Sequence, residues 1–453
     1  MITRHLYYYL VEWKNSLTRK PLILRGARQV GKTTLINYLG KSYQNYLYFN
    51  LEKAADKSLF NSIDNIETTI QLLFIARGKV LIKETPTLIF IDEVQENPKV
   101  IESLRYFYED HPYLHVIVSG SLLEFAIEKI ARTPVGRVEF AELHPVNFKE
   151  FIEAKSSPAI LNLLAQCPLK NEFLTTFFDL FHQYVMVGGM PELLNNYIQE
   201  KNLSRLPNLY SSIIETYKSD IEKYAKNNTQ KNVLRHIMNT VPFEIDNRIT
   251  FNHFGQSDFK SREVKEALDA LEKAKIIELM YPTTHVSLPV IPDFKKSPRL
   301  QYLDVGLANF QLGIQSELLT LKDLNDSSRG KLVQQVVVQE MKSIQYLPAQ
   351  KIHFWVREEH GTSSEVDIVI PYKSLLIPIE VKSGASGSLR SLHEFMDRSN
   401  HPYALRFYAG NISVDNLKTR KGKSYKLLNL PYFLAAWTQQ YLAWFITDEN
   451  API

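Results

Sequence analysis

The sequence predicts a multidomain α/β protein, with a parallel sheet first, helices in the middle and a second α/β unit at the end. Three observations carry that reading. Continuous apolar runs such as "LIFI" at 88–91 and "HVIV" at 115–118 read as strands buried on both faces, as in a parallel sheet. Residues 145–230 show apolar spacing of helical period through "FKEFIEA", "FFDLFHQYV" and "LYSSIIETYKSDIEKYA". Near the end, "EVDIVIPYKSLLIPIEVKSG" at 365–384 reads as two strands joined by a tight turn.

A chain of 453 residues suits about three domains. Its apolar fraction of 45% and aromatic fraction of 11% fit a folded protein rather than a disordered one. The net charge of +4 is too mild to require a polyanionic partner. A single cysteine, Cys167, excludes an intramolecular disulfide and a cysteine zinc cluster, and it fits a cytoplasmic location. The N-terminal "MITRHLYYYLVEWKN" lacks the clean apolar core of a signal peptide. The late apolar stretch "YFLAAWTQQYLAWFI" is too short for a membrane span and is broken by Gln439 and Gln440. No membrane partner is expected.

The first element to carry chemistry is "PLILRGARQVGKTTLINYL". It places Gly26 after an apolar strand and Gly31-Lys32-Thr33 at the GxxxxGK[ST] spacing. The glycines free the backbone N–H groups from Gly26 through Ala27, Arg28, Gln29, Val30 and Gly31 to wrap phosphate oxygens, and the helix opening at Lys32 adds its positive end. Lys32 is then expected to meet the β and γ phosphates and the Thr33 hydroxyl to hold Mg²⁺, with Thr34 beside them in the nucleotide site. The run "LIFIDEVQ" ends at Asp92-Glu93. Asp92 is expected to support Mg²⁺ through water and Glu93 to polarise the attacking water. "VIVSGS" ends a further strand in Ser119 and Ser121, either of which is placed to sense the γ-phosphate, at the edge where open α/β sheets bind ligands.

Together with "GRVEFAELHPVNFKEF" and "VGGMPE", these motifs resemble a widespread prokaryotic group of AAA-type P-loop ATPases, close to the archaeal and signal-transduction (STAND-like) types. Members pair the ATPase with a C-terminal domain of unknown function that resembles PD-(D/E)xK restriction endonucleases. The resemblance runs from about residue 4 to about residue 430. It implies ATP and Mg²⁺ as cofactors, ATP/ADP exchange, and an arginine that neutralises the γ-phosphate. Arg137 of "PVGRVEF" is the candidate for that arginine and Arg132 the second choice, acting in its own chain or in a neighbour's if the protein is an oligomer. Pro191 of "GGMP" matches a loop that closes over the adenine.

Four segments follow from these landmarks: a P-loop ATPase domain at 1–145, a helical lid or spacer at 146–229, a winged-helix domain at 230–297, and a restriction-endonuclease-like domain at 298–453. In the third, "SREVKEALDALEKAKIIELMYP" offers Ser261 as an N-cap, with Val264, Leu268 and Leu271 on one helix face and a short strand after it. Lys260, Arg262 and Lys265 stand at the start of that helix, where a DNA-reading module carries its contacts. Glu263, Glu266 and Asp269 on the exposed face suit a structural spacer equally.

The last segment holds the densest charge. The helix "GKLVQQVVVQEMKSI" sets Val333, Val336, Val337, Met341 and Ile344 on an apolar stripe, and Glu340 falls on that stripe. A buried carboxylate requires a cation or donors. If Lys373-Ser374 form the hairpin turn, Asp367 stands opposite Glu380, roughly 5 Å apart at Cβ, where like charges repel. Lys382 shares the face of Glu380. This order resembles the PD-(D/E)xK core, which implies that Glu340, Asp367 and Glu380 hold a catalytic Mg²⁺ while Lys382 orients or activates water. Five basic residues within "KTRKGKSYK" at 418–426 can track phosphates, so DNA is a candidate partner. The expectation is an ATPase whose nucleotide state gates a nuclease-like domain acting on DNA. Its alternative is a nucleotide-dependent switch with a non-cutting C-terminal module that binds DNA or another partner.

Overall fold

The computed structural model describes residues 2–447 apart from 129, 131–133, 135, 201–202, 316–329, 349, 360–361 and 385–388. The first domain is a five-stranded parallel sheet built from β1 (Leu22–Arg25), β2 (Asn45–Asn50), β3 (Thr87–Asp92), β4 (Leu114–Ser119) and β5 (Glu139–Glu142). The strand order is β2-β3-β4-β1-β5. The continuous apolar runs are explained by cover on both faces. Leu88, Phe90 and Ile117 enter one core cluster, while Ile89, Ile91, Val116 and Val118 enter another on the opposite face.

The described residues of 146–229 are mainly helical, as their spacing predicts. The helix Phe148–Lys155 opens with a capping box between Asn147 and Glu150. The helices Leu174–Val187, Pro191–Glu200 and Leu206–Glu222 follow. Two further helices, Asn228–Thr240 and Ser261–Lys273, pack on each other, with Val264, Ala267, Leu268 and Leu271 buried. The second of them starts at Ser261 itself, with Lys260 rather than Ser261 in the N-cap position.

The strand after this helix, β6 (Ile277–Met280), pairs antiparallel with β8 (Arg299–Tyr302). Between them β7 (Pro282–Thr283) joins the C-terminal sheet beside β9 (His353–Glu359). A boundary between 297 and 298 therefore runs through paired strands. The hydrogen-bond ladder knits the third segment to the fourth.

The C-terminal sheet has seven strands in the order β13-β14-β12-β11-β10-β9-β7, with β10 (Thr362–Tyr372), β11 (Leu375–Val381), β12 (Tyr403–Tyr408), β13 (Ser413–Lys418) and β14 (Ser424–Pro431). The hairpin turns at Lys373-Ser374, and Lys373 takes positive φ there. Its register runs from Tyr372↔Leu375 to Ile368↔Ile379, so Asp367 and Glu380 are the next facing pair.

Two helices sandwich this sheet. The helix Gly330–Ser343 lies against Ile377, Ile379 and Val381, whereas Arg390–Arg398 packs with Leu376 and Ala404 on the other face. Gly330–Ser343 is buried on all sides from Leu332 to Met341 rather than along one stripe. Its second side meets the rest of the protein. Gln335 exchanges hydrogen bonds with the Tyr302 backbone, and Gln339 accepts from the Val305 N–H.

Candidate functional site

Strand β1 delivers the chain to Gly26, whose φ of +139° and position leave no room for a side chain. A Cβ there would lie 2.3 Å from the Leu143 carbonyl oxygen. The loop closes at Gly31, also at positive φ, and the helix Lys32–Gly40 begins at once. Ala27 and Val30 turn into the core, so they offer backbone rather than side chains to the cleft. Gln29 takes φ of 62°, the left-handed conformation that lets the loop curl.

Lys32 is buried and donates to the carbonyls of Gly26 at 2.9 Å and Ala27 at 2.8 Å. Burial lowers its pKa to about 8, against the pull of Glu93 and Asp92. The Thr33 hydroxyl donates to Asp92 Oδ2 at 2.6 Å, and the Ser119 hydroxyl donates to the other Asp92 oxygen. Glu93 sits at φ of 56°, and Gln95 Nε2 donates to its Oε2 at 2.6 Å. Burial raises the Glu93 pKa, the direction that suits a proton acceptor working near neutrality.

These groups open on a cleft of about 590 Å³ lined by Lys32, Thr33, Thr34, Glu93, Ser121 and Pro191. The Pro191 ring lies close to Gly31, and its helix Pro191–Glu200 forms the opposite wall. Thr33 and Asp92 are hard oxygen donors of the kind Mg²⁺ takes, with room for water and phosphate oxygens beside them. The residues therefore fit a nucleotide with its cation. Of the two serines, Ser121 faces the cleft. Ser119 is fully buried and holds Asp92 instead.

Arg137 does not join this group. Strands β1 and β5 run parallel in the register Leu22↔Glu139, so Arg137 stands just before the start of β5, at the sheet edge opposite the loop. It pairs with Glu109 at 2.9 Å on an exposed surface. The expected place of Arg137 beside its own chain's phosphate loop is therefore not the one it takes, because strand direction decides which end a residue reaches. Arg132 lies outside the described residues.

In the C-terminal sheet, Asp367 and Glu380 are neighbours as expected. Asp367 Oδ2 accepts from the Val381 N–H at 2.9 Å, and Lys382 Nζ lies 2.5 Å from Glu380 Oε1. Burial and the Asp367 charge push the Glu380 pKa up, and its Oε2 is buried with no hydrogen-bond partner.

Glu340 is elsewhere, which corrects the expected three-carboxylate Mg²⁺ site. It is 0% exposed, accepting from the Phe148 N–H at 2.9 Å and from the Tyr184 hydroxyl at 2.7 Å. The reason is sheet parity. Side chains alternate along β11, so Glu380 projects to the face opposite Ile379 and Val381, while the Glu340 helix packs on those two residues. The counter-charge near Asp367 is Arg299 of β8, at 3.3 Å, which also pairs with Glu365 and, at 3.5 Å, with Asp246. Among the described residues no group of three His, Cys, Asp or Glu side chains is arranged to hold a metal ion.

The basic features are partly spent. Arg262 pairs with Glu266 at 2.9 Å, one turn along its helix. Lys423 donates to the carbonyls of Met396 and Ser399, leaving Lys418, Arg420, Lys421 and Lys426 exposed around the β13–β14 turn.

Sequence reasoning missed two groups that shape the main cleft's surroundings. Arg4 is buried, bonding the Val30 carbonyl, the His144 carbonyl and Glu150. Asp304 is buried and accepts from the Gly189 N–H at 2.5 Å and the Leu307 N–H at 3.0 Å. Asp304 is legible locally only as the N-cap of Val305–Gln311; its bond to Gly189 and the bonds of Arg4 to His144 and Glu150 join residues more than 100 positions apart in the chain.

Comparison with known proteins agrees with the first of these sites. Residues 18–152 match the family model of an AAA domain. Residues 178–318 and 329–433 match two domains of unknown function, DUF8612 and DUF4143. An uncharacterized protein of Methanocaldococcus jannaschii is 24% identical over 371 residues, covering 78% of this chain and 73% of that one. Among solved structures, the Walker-type ATPase of Pyrococcus abyssi gives a TM-score of 0.44 at 14% identity, covering 69% of this chain and 96% of its own. The ORC1 protein of Aeropyrum pernix, solved in complex with DNA, gives 0.30 at 10%, covering 69% and 90%. Structural likeness at these scores carries no functional argument. Among the described residues no helix is long and apolar enough to cross a membrane. The family match and the loop geometry make residues 18–152 an AAA-type, ATPase-like domain.

Proposed function

We propose that this chain is a nucleotide-dependent switch. It binds ATP with Mg²⁺ in the cleft above the loop, hydrolyses it, and passes the nucleotide state to its C-terminal α/β unit. Lys32 donates to the phosphates, and its present bonds to two loop carbonyls are what a bound phosphate would replace. Thr33 and Asp92 hold the cation, which when bound neutralises phosphate charge. Glu93 takes the proton of the attacking water and is held in place by Gln95.

The observation that carries the switch reading is Glu340. A residue expected to hold a catalytic metal instead ties the C-terminal helix to Phe148 and Tyr184 of the lid. The preceding residue, Gln339, reaches Asp304, which holds Gly189, two residues before Pro191 of the cleft wall. A shift of the cleft wall therefore has a packed route to the C-terminal sheet.

A second reading, a nuclease acting on DNA, is favoured by Asp367, Glu380 and Lys382 standing together and by the unpartnered Glu380 oxygen. One experiment separates the two: incubation with plasmid and linear DNA in Mg²⁺ or Mn²⁺, with and without ATP. The switch predicts ATP hydrolysis without strand cleavage. Metal-dependent cleavage that disappears in Lys382→Ala would establish the nuclease.

A further inference from the structure

The cleft contains one guanidinium that the assignment so far leaves idle. Arg28 belongs to the phosphate-binding loop and lines the cleft beside Lys32, Thr33 and Glu93. A single lid helix, Leu206–Glu222, holds it twice. Tyr217 donates its hydroxyl to the Arg28 carbonyl at 2.8 Å, and Asp220, one turn on, takes the guanidinium through Nη1. Among the described residues no other nitrogen of Arg28 makes a hydrogen bond, and its side chain is one-third exposed on the cleft side.

Asp220 is itself buried, its side chain 7% exposed, yet it does not depend on Arg28 alone. Lys223 lies 2.7 Å from its other oxygen. Removing the sole partner of a buried carboxylate is strongly unfavourable. Here a second cation stays behind, so Arg28 can leave without stranding a charge. A triphosphate brings more negative charge to the cleft than one carboxylate, and guanidinium binds phosphate through paired N–H groups. Arg137, at the far sheet edge, stands away from its own chain's cleft.

Resting on the ATPase reading above, we propose that Arg28 is the arginine that engages the nucleotide's terminal phosphate. Asp220 is the positioning residue that holds it in reserve. The guanidinium exchanges Asp220 for the γ-phosphate when ATP is present, and returns when only ADP remains. One of the two ties between the lid helix and the loop is thereby made in one nucleotide state and broken in the other, while the Tyr217 bond to the Arg28 carbonyl stays.

The test is the ratio of ATP to ADP affinity, with the non-hydrolysable triphosphate AMP-PNP standing for ATP, together with the hydrolysis rate. Arg28→Ala should bring the two affinities to within about twofold of each other and lower hydrolysis roughly a hundredfold or more, as loss of a phosphate-neutralising arginine does. Arg28→Lys should restore part of both. Asp220→Asn should raise AMP-PNP affinity several-fold while leaving ADP unchanged, since it weakens only the competitor for Arg28. The double variant should match Arg28→Ala. An Asp220→Asn variant that shifts both nucleotides equally would overturn the exchange, even if every Arg28 variant failed to fold. An unchanged ratio in Arg28→Ala would do the same. A wild-type protein that binds neither nucleotide would overturn the ATPase reading as well, which distinguishes the two failures.

Discussion

Two clusters of charge in this protein were legible from the same kind of evidence, and they came out differently. In the loop cleft, Lys32, Thr33, Asp92 and Glu93 assemble as their motifs require. In the C-terminal sheet, Asp367, Glu380 and Lys382 assemble but Glu340 does not, and Arg299 supplies the counter-charge. The first cluster depends on short-range geometry. Lys32 and Thr33 are adjacent, and Asp92 lies at the same edge of one parallel sheet. The second needed a helix to dock on a particular face of a sheet whose next strand, β9, begins ten residues later. Helical period places Glu340 on a buried side, but no pattern within the helix says which neighbour that side will meet. Buried carboxylates accept donors as readily as cations, and here the donors are a helix N-terminus and a tyrosine.

The sharpest test of the first cluster is Lys32→Ala. Losing the cation that meets the phosphates should lower ATP hydrolysis by on the order of a thousandfold or more, measured as phosphate release. Unchanged turnover would remove the ATPase assignment. Glu93→Gln probes the same cluster more finely. It should lower turnover by roughly 10²- to 10⁴-fold, as loss of a general base does, while ATP binding stays within a few-fold of wild type. Equal loss of affinity and rate would make Glu93 structural.

For the second cluster, Arg299→Met removes the buried cation shared by Asp246, Glu365 and Asp367, leaving Arg248, 3.6 Å from Glu365, as the remaining ion-pair partner. Removing one partner from such an arrangement should cost about 3–5 kcal/mol of stability by chemical denaturation. Millimolar Mn²⁺ should leave the wild-type Tm unmoved, because Arg299 already balances these acids. A Mn²⁺-dependent rise that Asp367→Asn abolishes would restore the metal reading and break the contrast between the clusters.

The smallest expected effect is on pH dependence. Burial raises the Glu340 pKa to about 8. The Tyr184 hydroxyl has one proton but lies 2.8 Å from the Val146 carbonyl as well as 2.7 Å from Glu340. A protonated Glu340 supplies the second proton. An acid whose folded pKa exceeds its unfolded value stabilises fully below the ordinary carboxylate range, and that stabilisation is lost as pH rises to about 8. Glu340→Gln keeps an acceptor for Phe148 and a donor for Tyr184. Its stability should therefore match wild type near pH 4 and exceed it by roughly 1–2 kcal/mol above pH 8. Glu340→Ala should instead lose about 1–3 kcal/mol near pH 5, having left the buried Phe148 N–H unpaired while Tyr184 keeps the Val146 carbonyl. Parallel pH curves for wild type and Glu340→Gln would show that folding leaves the carboxyl's pKa unshifted.

By itself, the sequence determined what repeats locally. The phosphate loop, the helical middle, the buried stripe of Ser261–Lys273 and the hairpin register placing Asp367 opposite Glu380 all follow from spacing of a few residues. Such spacing fixes backbone conformation and side-chain direction within one element. Only the tertiary structure decided which end of the sheet Arg137 occupies, which face the Glu340 helix covers, and that Arg28 is held by Asp220. Each of these rests on a contact between elements far apart in the chain, where periodicity carries no information about the partner. Local rules say that a charge is buried or that a strand ends. The packing of whole domains chooses what stands on the other side.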